Sequence, residues 1–532
     1  MIKTIKTTPY TDQKMGTAGI RKKSKVARQE NYVENFLQSA FDALGGVQGK
    51  TFVVGGDGRF YNDIAIQKFL KMACANGMKK IIMAQNGLIS TPAFSNIIIK
   101  TKADGGFDFT SSHNPAGENG DFGIKIDGPN GGQTNDQTNA KVFENTKKIT
   151  EYKICDHENI IDLSKIGTQK FCDMEIEIID SVEDYITMME EIFDFPAIKK
   201  LFQSGFTMTF DAMNAVTGPY AVKIFEDILG AAKGSVINKT PKPDFGGLHP
   251  DPNLVHAKEL VDIMYSTNAP DFGAANDGDG DRNMIMGKNI FISPSDSLAI
   301  ITDNYKCIPA YKNGIKGVAK SAATSTAVNR TAKALNLPCY EVPTGWKYFG
   351  NLMDSGRITF CGEESFGTAS DHIREKDGIW AVLYWLNIIA TTGKSVHEIA
   401  LEHWQKYGRG YYMRFDFEEI PTEIADKLIT DLESKLPTLP NAKPFVYDDP
   451  VDGSSTQNGY IIWTEDGSRI FYRLSGTGTV GATLRVYIEK VVTDKNKLEE
   501  KPEQMLESTF QYAMEVLEIT QRTGKQKPDV IT

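Results

Sequence analysis

Thr51-Phe52-Val53-Val54-Gly55-Gly56-Asp57-Gly58 is a β-branched and aromatic run that ends in a glycine-rich turn, the pattern of a buried strand. Lys80-Ile81-Ile82-Met83 repeats the pattern, and Met208-Thr209-Phe210 is a shorter, weaker version of it. Between such runs the apolar residues fall into helical spacing, as at Ala221, Val222, Ile224, Phe225, Ile228 and Leu229 after Pro219. Strands separated by helices of this length predict parallel sheets with helices layered on them, an α/β class.

At 532 residues the chain is long enough for several such units. The reading divides it into four, at 1–184, 185–300, 301–405 and 406–532. The first boundary follows Ile178-Ile179-Asp180-Ser181, where a helical Glu183–Phe193 leads into the next strand-helix unit. Near Trp404–Gly410 the pattern changes again, and Tyr411-Tyr412-Met413-Arg414-Phe415 alternates like an exposed strand. Tyr460-Ile461-Ile462-Trp463 and Arg469-Ile470-Phe471-Tyr472 then read as a hairpin, so the last unit is expected to be α+β. No sequence repeat is visible.

Composition excludes several classes of function. Lys and Arg number 59 against 69 Asp and Glu, for a net charge of −10, which leaves no global basic field for nucleic acid or anionic lipid. An anionic substrate therefore needs a local cluster of cations and backbone amides. The six cysteines (Cys74, Cys155, Cys172, Cys307, Cys339 and Cys361) form no CxxC pair, which argues against a disulfide framework or zinc ribbon. Met1–Lys6 lacks the apolar core of a secretory signal, and no segment reaches the ~20 apolar residues of a membrane span. The expected setting is reduced, soluble and cytoplasmic.

Four segments carry chemistry. In Thr110-Ser111-Ser112-His113-Asn114-Pro115 a serine held in a tight Asn-Pro/Gly turn is expected to present its hydroxyl to a cleft. His113 and Lys125 are close enough in sequence to supply proton transfer or positive charge. In Asn276-Asp277-Gly278-Asp279-Gly280-Asp281-Arg282, an extended backbone would turn three alternate carboxylates the same way. Their mutual repulsion calls for a divalent cation, and oxygen-only ligands suit Mg²⁺ or Ca²⁺ better than zinc. An EF-hand needs glycine and glutamate where Arg282 and Lys288 stand, so that reading fails.

The third segment, Cys361-Gly362-Glu363-Glu364-Ser365-Phe366-Gly367, places a carboxylate and a hydroxyl two residues apart, suited to vicinal sugar hydroxyls. Pro343-Thr344-Gly345-Trp346-Lys347 is a similar polar loop; alone, either serves as well as an ordinary surface turn. The fourth, Arg473-Leu474-Ser475-Gly476-Thr477-Gly478-Thr479 with Arg485, reads as an anion cradle of hydroxyls, amides and guanidiniums. It is no Walker A loop, and the one Gly-Lys-Ser, at Gly393–Ser395, has Ile388 where the first glycine belongs, so ATP as donor is unsupported. Serine, carboxylate triad, polyol loop and phosphate cradle fall one to each unit, which suggests phosphoryl transfer between an enzyme serine and a sugar phosphate.

With Gly16-Thr17-Ala18-Gly19-Ile20-Arg21-Lys22-Lys23 at the start and Asp371-His372-Ile373-Arg374-Glu375-Lys376-Asp377-Gly378 in the third unit, these motifs stand in family order. The chain resembles, end to end, the phosphoglucomutases, the glucose-specific eukaryotic branch of the α-D-phosphohexomutase superfamily, with parafusin-like relatives included. The resemblance implies four domains around a central cleft, three α/β with mixed sheets and a C-terminal α+β domain. It implies that glucose 1-phosphate and glucose 6-phosphate interconvert through a phosphoserine at Ser112, with glucose 1,6-bisphosphate as intermediate and activator. Mg²⁺ would be held by Ser112, Asp277, Asp279 and Asp281. Lys125, His113 and Lys376 would move protons or stabilise charge, with Arg21 and Arg282 near the transferring phosphate. Glu363 and Ser365, with Thr344 and Gly345, would grip the sugar. Arg473, Ser475, Gly476, Thr477, Thr479 and Arg485 would hold the other phosphate.

The expected partner is a hexose phosphate, the expected state a monomer, with no nucleic acid and no transmembrane segment. Ser111 stands where the family has alanine, Asp108 where it has an aliphatic residue, Ala18 for a serine or threonine, and Val480 for a smaller residue. Two alternatives are a relaxed mutase acting on mannose or N-acetylglucosamine phosphates, and a parafusin-like scaffold. A scaffold alone would predict lost catalytic groups, yet every carried-over group is present.

Overall fold

The computed structural model describes the chain except residues 17–18, 158–159, 440 and 479–480, and for 476–478 it describes the backbone alone. In the first unit β1 (Thr51–Gly56) lies between β2 (Lys80–Leu88) and β3 (Gly106–Phe109), parallel to both, and β3 reverses into antiparallel β4 (Asp121–Asp127). The second unit repeats this arrangement. There β5 (Met208–Asp211) lies between β6 (Val236–Ile237) and β7 (Phe272–Asn276), and β7 reverses into β8 (Asn283–Gly287). The third unit does so again, with β9 (Val318–Ser321) between β10 (Cys339–Val342) and β11 (Phe360–Gly362), and β11 reversing into β12 (Thr368–Ser370).

A threefold repeat that is invisible in the sequence is thus plain in the topology, because a sheet order is preserved by pattern and not by residue identity. Added edge strands bring the first sheet to seven strands and the second to five, while the third has four. The repeat matters because the same loop recurs. The turn from the last parallel strand to the antiparallel one carries Ser112 in the first unit, Asp277–Asp281 in the second, and Glu363 and Ser365 in the third. Carboxyl ends of parallel strands are where open α/β sheets present ligand-binding loops.

The fourth unit is a six-stranded sheet in which every pairing is antiparallel. It contains β13 (Arg409–Ile420), β14 (Ser455–Trp463), β15 (Arg469–Gly478) and β16 (Gly481–Val492). The expected hairpin is β14–β15, with Tyr460 opposite Tyr472 and Trp463 opposite Arg469. The expected exposed strand is corrected: β13 sits between β16 and Val530–Ile531. Its alternation reflects two apolar faces, Tyr411 packing into the unit's own core and Tyr412 against the seam with the third unit.

The helix Gly378–Thr392 is apolar on every side, and Trp380, Tyr384 and Trp385 on it are fully buried. A helix of that kind has no solvent face. It lies in one continuous core that runs from the first unit's inner face through the second and third. Trp346, Phe349, Phe445, Phe471 and Tyr487 form a separate seam that docks the fourth unit on the third. A cavity of about 610 Å³ lined by Gln133, Lys347, Arg374 and Ser455 opens between the first, third and fourth units.

Candidate active site

Ser112 sits at the carboxyl end of β3 with φ +54°, a left-handed conformation uncommon outside glycine and worth a functional explanation. Arg59, itself fully buried, holds the loop in that shape. Its Nη2 donates to the Ser112 carbonyl at 2.7 Å and its Nη1 to the Asp121 carbonyl at 2.9 Å, while Asp57 accepts from its Nε at 2.8 Å. The hydroxyl, expected at a cleft, is covered by the neighbouring unit. Ser112 is only 3% exposed, because the carboxylate loop of the second unit lies over it and Asp277 Oδ2 accepts from its Oγ at 2.9 Å. Ser111 is wholly buried, with its Oγ against Gly123, where an added Cβ would come within 2.6 Å of it.

The carboxylates converge, but by a different route from the one read in the sequence. Residues 277–281 form a turn, not an extended stretch, with Gly280 at φ +79°. Gly278 approaches so closely that a Cβ there would lie 2.5 Å from the Ser112 carbonyl oxygen. One oxygen each of Asp277, Asp279 and Asp281 falls within 4.8 Å of the others, and Oδ1 of Asp279 and of Asp281 is buried without a hydrogen-bond partner. Unsatisfied buried carboxylate oxygens in an all-oxygen set fit a hard divalent cation.

Two lysines reach this cluster from other units. Lys125 Nζ lies 2.7 Å from Asp279 Oδ2 and 3.5 Å from Asp281 Oδ2, and Lys376 Nζ lies 2.9 Å from Asp281 Oδ2. Burial works against the Lys125 charge, but Asp279 and then Asp281 outweigh it and raise the ammonium well above the ordinary range. Burial likewise opposes the Asp279 charge, and Lys125 more than reverses that. At Asp277 burial, then repulsion from Asp279 and Asp281, outweighs the nearby Arg282 and pushes the carboxyl well up.

His113 Nδ1 is 3.4 Å from Ser112 Oγ, and burial, then Arg282 and Arg21, holds the imidazole well below its usual value and therefore neutral. Arg21 Nη1 donates to Asn114 Oδ1 at 3.3 Å, and Arg282 Nη1 to Asp251 Oδ1 at 3.1 Å. Ser112, His113, Arg21, Lys125, Lys376, Arg282 and the three aspartates therefore form one centre.

The sugar loop forms a second group. Gly345 N–H donates to Glu363 Oε1 at 3.2 Å, Ser365 Oγ lies 3.5 Å from Glu363 Oε2, and Thr344 Oγ1 is buried without a partner. Glu363 is pushed up by burial, with Lys376 pulling the other way. The cradle forms a third group on the fourth unit. Arg473 on β15 stands directly opposite Arg485 on β16, and Ser475 opposite Thr483. Asp416 Oδ2 is 3.5 Å from Arg485 Nε, and a nitrogen of Arg473 is buried without a partner. Gly476 and Thr477 continue β15, and Thr479 lies outside the described residues. Among the described residues, no hydrogen bond or ion pair joins the cradle to Ser112.

Several members escaped the sequence reading. Thr91 Oγ1 lies within hydrogen-bond distance of Asp279 Oδ2 at 2.9 Å and of Asp108 Oδ2 at 2.8 Å, with one O–H to share between them, and its amide donates to the Asp279 carbonyl at 2.9 Å. Asp108, Asp127 and Glu375 are buried around the lysines, and burial pushes all three carboxyls up. Gly55-Gly56-Asp57-Gly58 was visible as a turn ending β1, but nothing local announced the hold of the next residue, Arg59, on Ser112. The carboxylate loop is tied to the third unit as well, since Gly378 N–H donates to the Gly280 carbonyl at 3.1 Å and Asn283 N–H to the Phe366 carbonyl at 2.8 Å.

Comparison with known proteins agrees with this arrangement. Residues 12–153, 183–290 and 294–407 match the phosphoglucomutase/phosphomannomutase alpha/beta/alpha domains I, II and III, and residues 409–529 match the phosphoglucomutase-1 C-terminal domain. The chain is 54% identical to a phosphoglucomutase of Rhizobium radiobacter and 48% identical to phosphoglucomutase-1 of Homo sapiens, covering 100% of both partners in each case. It is 42% identical to the open form of parafusin from Paramecium, with a TM-score of 0.94 over 100% of this chain and 99% of that one. Whole-length identity, matching domains and a serine–carboxylate centre together establish that the chain belongs to the phosphoglucomutase/phosphomannomutase family.

Proposed function

We propose that the chain interconverts glucose 1-phosphate and glucose 6-phosphate through a phosphoryl group carried on Ser112 Oγ. The observation that carries this reading is the Ser112 Oγ to Asp277 Oδ2 contact of 2.9 Å, with Lys125 Nζ 2.7 Å from the neighbouring Asp279. Such a serine is placed to receive and return a phosphoryl group among fixed charges. The phosphoserine passes its group to O6 of glucose 1-phosphate, and glucose 1,6-bisphosphate then returns its 1-phosphate to Ser112. The four units 1–184, 185–300, 301–405 and 406–532 would contribute nucleophile, metal loop, sugar loop and phosphate cradle in turn.

Asp277, Asp279 and Asp281, with an oxygen of the Ser112 phosphate, would hold Mg²⁺, which supplies positive charge to the transferring phosphoryl oxygens. Lys125 and Lys376 hold the surplus carboxylate charge, and Arg21 and Arg282 supply further positive charge to phosphoryl oxygens. Neutral His113 offers a ring nitrogen 3.4 Å from Ser112 Oγ to guide its proton. Glu363 accepts from sugar hydroxyls and Ser365 donates to them, with Gly345 and Thr344 fixing the carboxylate and the loop. Facing arginines destabilise a sheet unless an anion lies between them, so Arg473 and Arg485, with Ser475, Gly476, Thr477 and Thr479, hold the non-reacting phosphate.

Every group of the centre comes from one chain, in keeping with a monomer, and free cysteines suit the cytoplasm. The test is an assay of glucose 6-phosphate formation from glucose 1-phosphate with Mg²⁺ and a trace of glucose 1,6-bisphosphate. Activity lost in Ser112→Ala and kept in Ser111→Ala supports the assignment. An active Ser112→Ala overturns it.

A further inference from the structure

Cys74, Cys155 and Cys172 are 81 and 17 residues apart in the chain, and show no metal-binding spacing. The fold nevertheless brings their three sulfurs within 4.8 Å of one another, with Cys155 Sγ 3.2 Å from Cys74 Sγ. They arrive from three elements: the last turn of α1 (Asn62–Ala75), the end of strand Glu151–Cys155, and the reversal between strands Gly167–Phe171 and Met174–Ile179. The absence of a CxxC pair does not keep the thiols apart. Spacing along a chain says nothing about residues that a sheet edge and a helix end bring together.

We propose that these three cysteines form a binding site for one Zn²⁺ ion, separate from the oxygen-ligated centre. Thiolates select soft or borderline cations, and a tetrahedral Zn²⁺ with Zn–S of about 2.3 Å places its sulfurs about 3.8 Å apart. That spacing falls between the 3.2 Å contact and the 4.8 Å limit of the cluster. Burial is graded across the site: Cys155 is buried, Cys74 half-buried and Cys172 exposed, so an ion can enter past Cys172 and find the other two partly desolvated. Binding releases the three S–H protons to solvent and forms three S–Zn bonds, leaving one position for water. The amino end of the chain lies beside the site, since Ile2 pairs with Cys155 and Asp156 N–H donates to the Met1 carbonyl at 2.8 Å.

The site is remote from catalysis. Asn62, at the other end of α1, donates to Asp57 Oδ1 at 3.2 Å in the serine centre. Twelve residues of helix separate it from Cys74, a rise of about 18 Å. The ion's role is thus structural, clamping to α1 the N-terminal ribbon, a separate two-stranded sheet, and the Phe171–Met174 reversal at the edge of the main sheet.

The experiment titrates the full-length protein, reduced, chelator-treated and anaerobic, first with Co²⁺ and then with Zn²⁺. The expected result is a near-ultraviolet thiolate-to-cobalt band that saturates at one ion per chain and is bleached by Zn²⁺. Ions in the aspartate centre, bound by oxygen, give no such band. Cys172→Ser, at an exposed turn that tolerates substitution, is expected to weaken the affinity by more than about 100-fold, beyond what outer-shell partners contribute, and to leave turnover unchanged. Bound Zn²⁺ should also shield three of the six thiols from alkylation. Absence of the band in the wild-type protein, an unchanged affinity in Cys172→Ser, or a Cys74–Cys155 disulfide recovered in place of the metal would each overturn the proposal.

Discussion

Arg59 Nη2 donates to the Ser112 carbonyl at 2.7 Å, from a guanidinium with no solvent exposure. The same side chain pairs with Asp57 through Nε and Nη2, at 2.8 Å in both cases. A planar fork with fixed donors can meet a carboxylate and three loop carbonyls together, which a lysine cannot. The positive φ of Ser112 is thus imposed by a residue 53 positions earlier in the chain.

Arg59→Lys is therefore expected to loosen the serine loop. Breaking a buried, hydrogen-bonded pair costs roughly 3 kcal/mol of stability. We expect kcat to fall by about 10–100-fold, with a smaller change in KM. Denaturant titration and steady-state kinetics check both, and unchanged kcat in the folded variant would contradict the role assigned to Arg59.

Lys125→Met separates catalysis from cation binding. Lys125 lies 2.7 Å from Asp279 and competes with any cation there. Its removal should leave divalent-ion affinity unchanged or tighter, while kcat falls about 100-fold or more from loss of charge stabilisation. Calorimetric Mg²⁺ titration beside turnover measurements gives both numbers. A loss of Mg²⁺ affinity would show that Lys125 organises the aspartates instead of opposing the ion.

Arg473→Ala and Arg485→Ala act on the phosphate cradle alone. Each should raise KM for glucose 1-phosphate by about tenfold or more, the worth of a charge-assisted hydrogen bond. The Mg²⁺ concentration giving half-maximal rate should not move. A KM equal to that of the parent in either variant removes that arginine from the substrate site.

Asp303 makes stability depend on pH far from the catalytic centre. Burial alone would raise its carboxyl, but His403, Tyr407 OH at 2.6 Å and Lys406 Nζ at 2.9 Å hold it down at about 2. A depressed folded value means the contribution is complete above the unfolded value near 4 and is lost as the pH falls through 2. Roughly 2 kcal/mol is expected to disappear over that window. Chemical denaturation of the parent and of Asp303→Asn at pH 5 and pH 2.5 should show the two converging in acid.

The local patterns were legible because they depend on short-range rules. The strand at Thr51–Gly56, the hairpin of β14 and β15, and the alternating aspartates all announce themselves within ten residues. The aspartates show the limit of that reading. Their identity signalled a cation, but the stretch expected to run extended is a turn, with Gly280 at φ +79°. Likewise Ser112 was recognisable as the candidate phosphoryl carrier, yet its burial depends on a loop 165 residues away.

By itself the sequence determined the fold class and the family to which the chain belongs, since both rest on residue type and local order. Only the tertiary structure decided that three diverged units share one strand order, that Arg59 and Thr91 serve the reacting centre, and that Cys74, Cys155 and Cys172 meet. The reason is that such contacts join side chains from distant segments. They are set by how sheets and helices pack against one another, and no stretch of chain records its own partner.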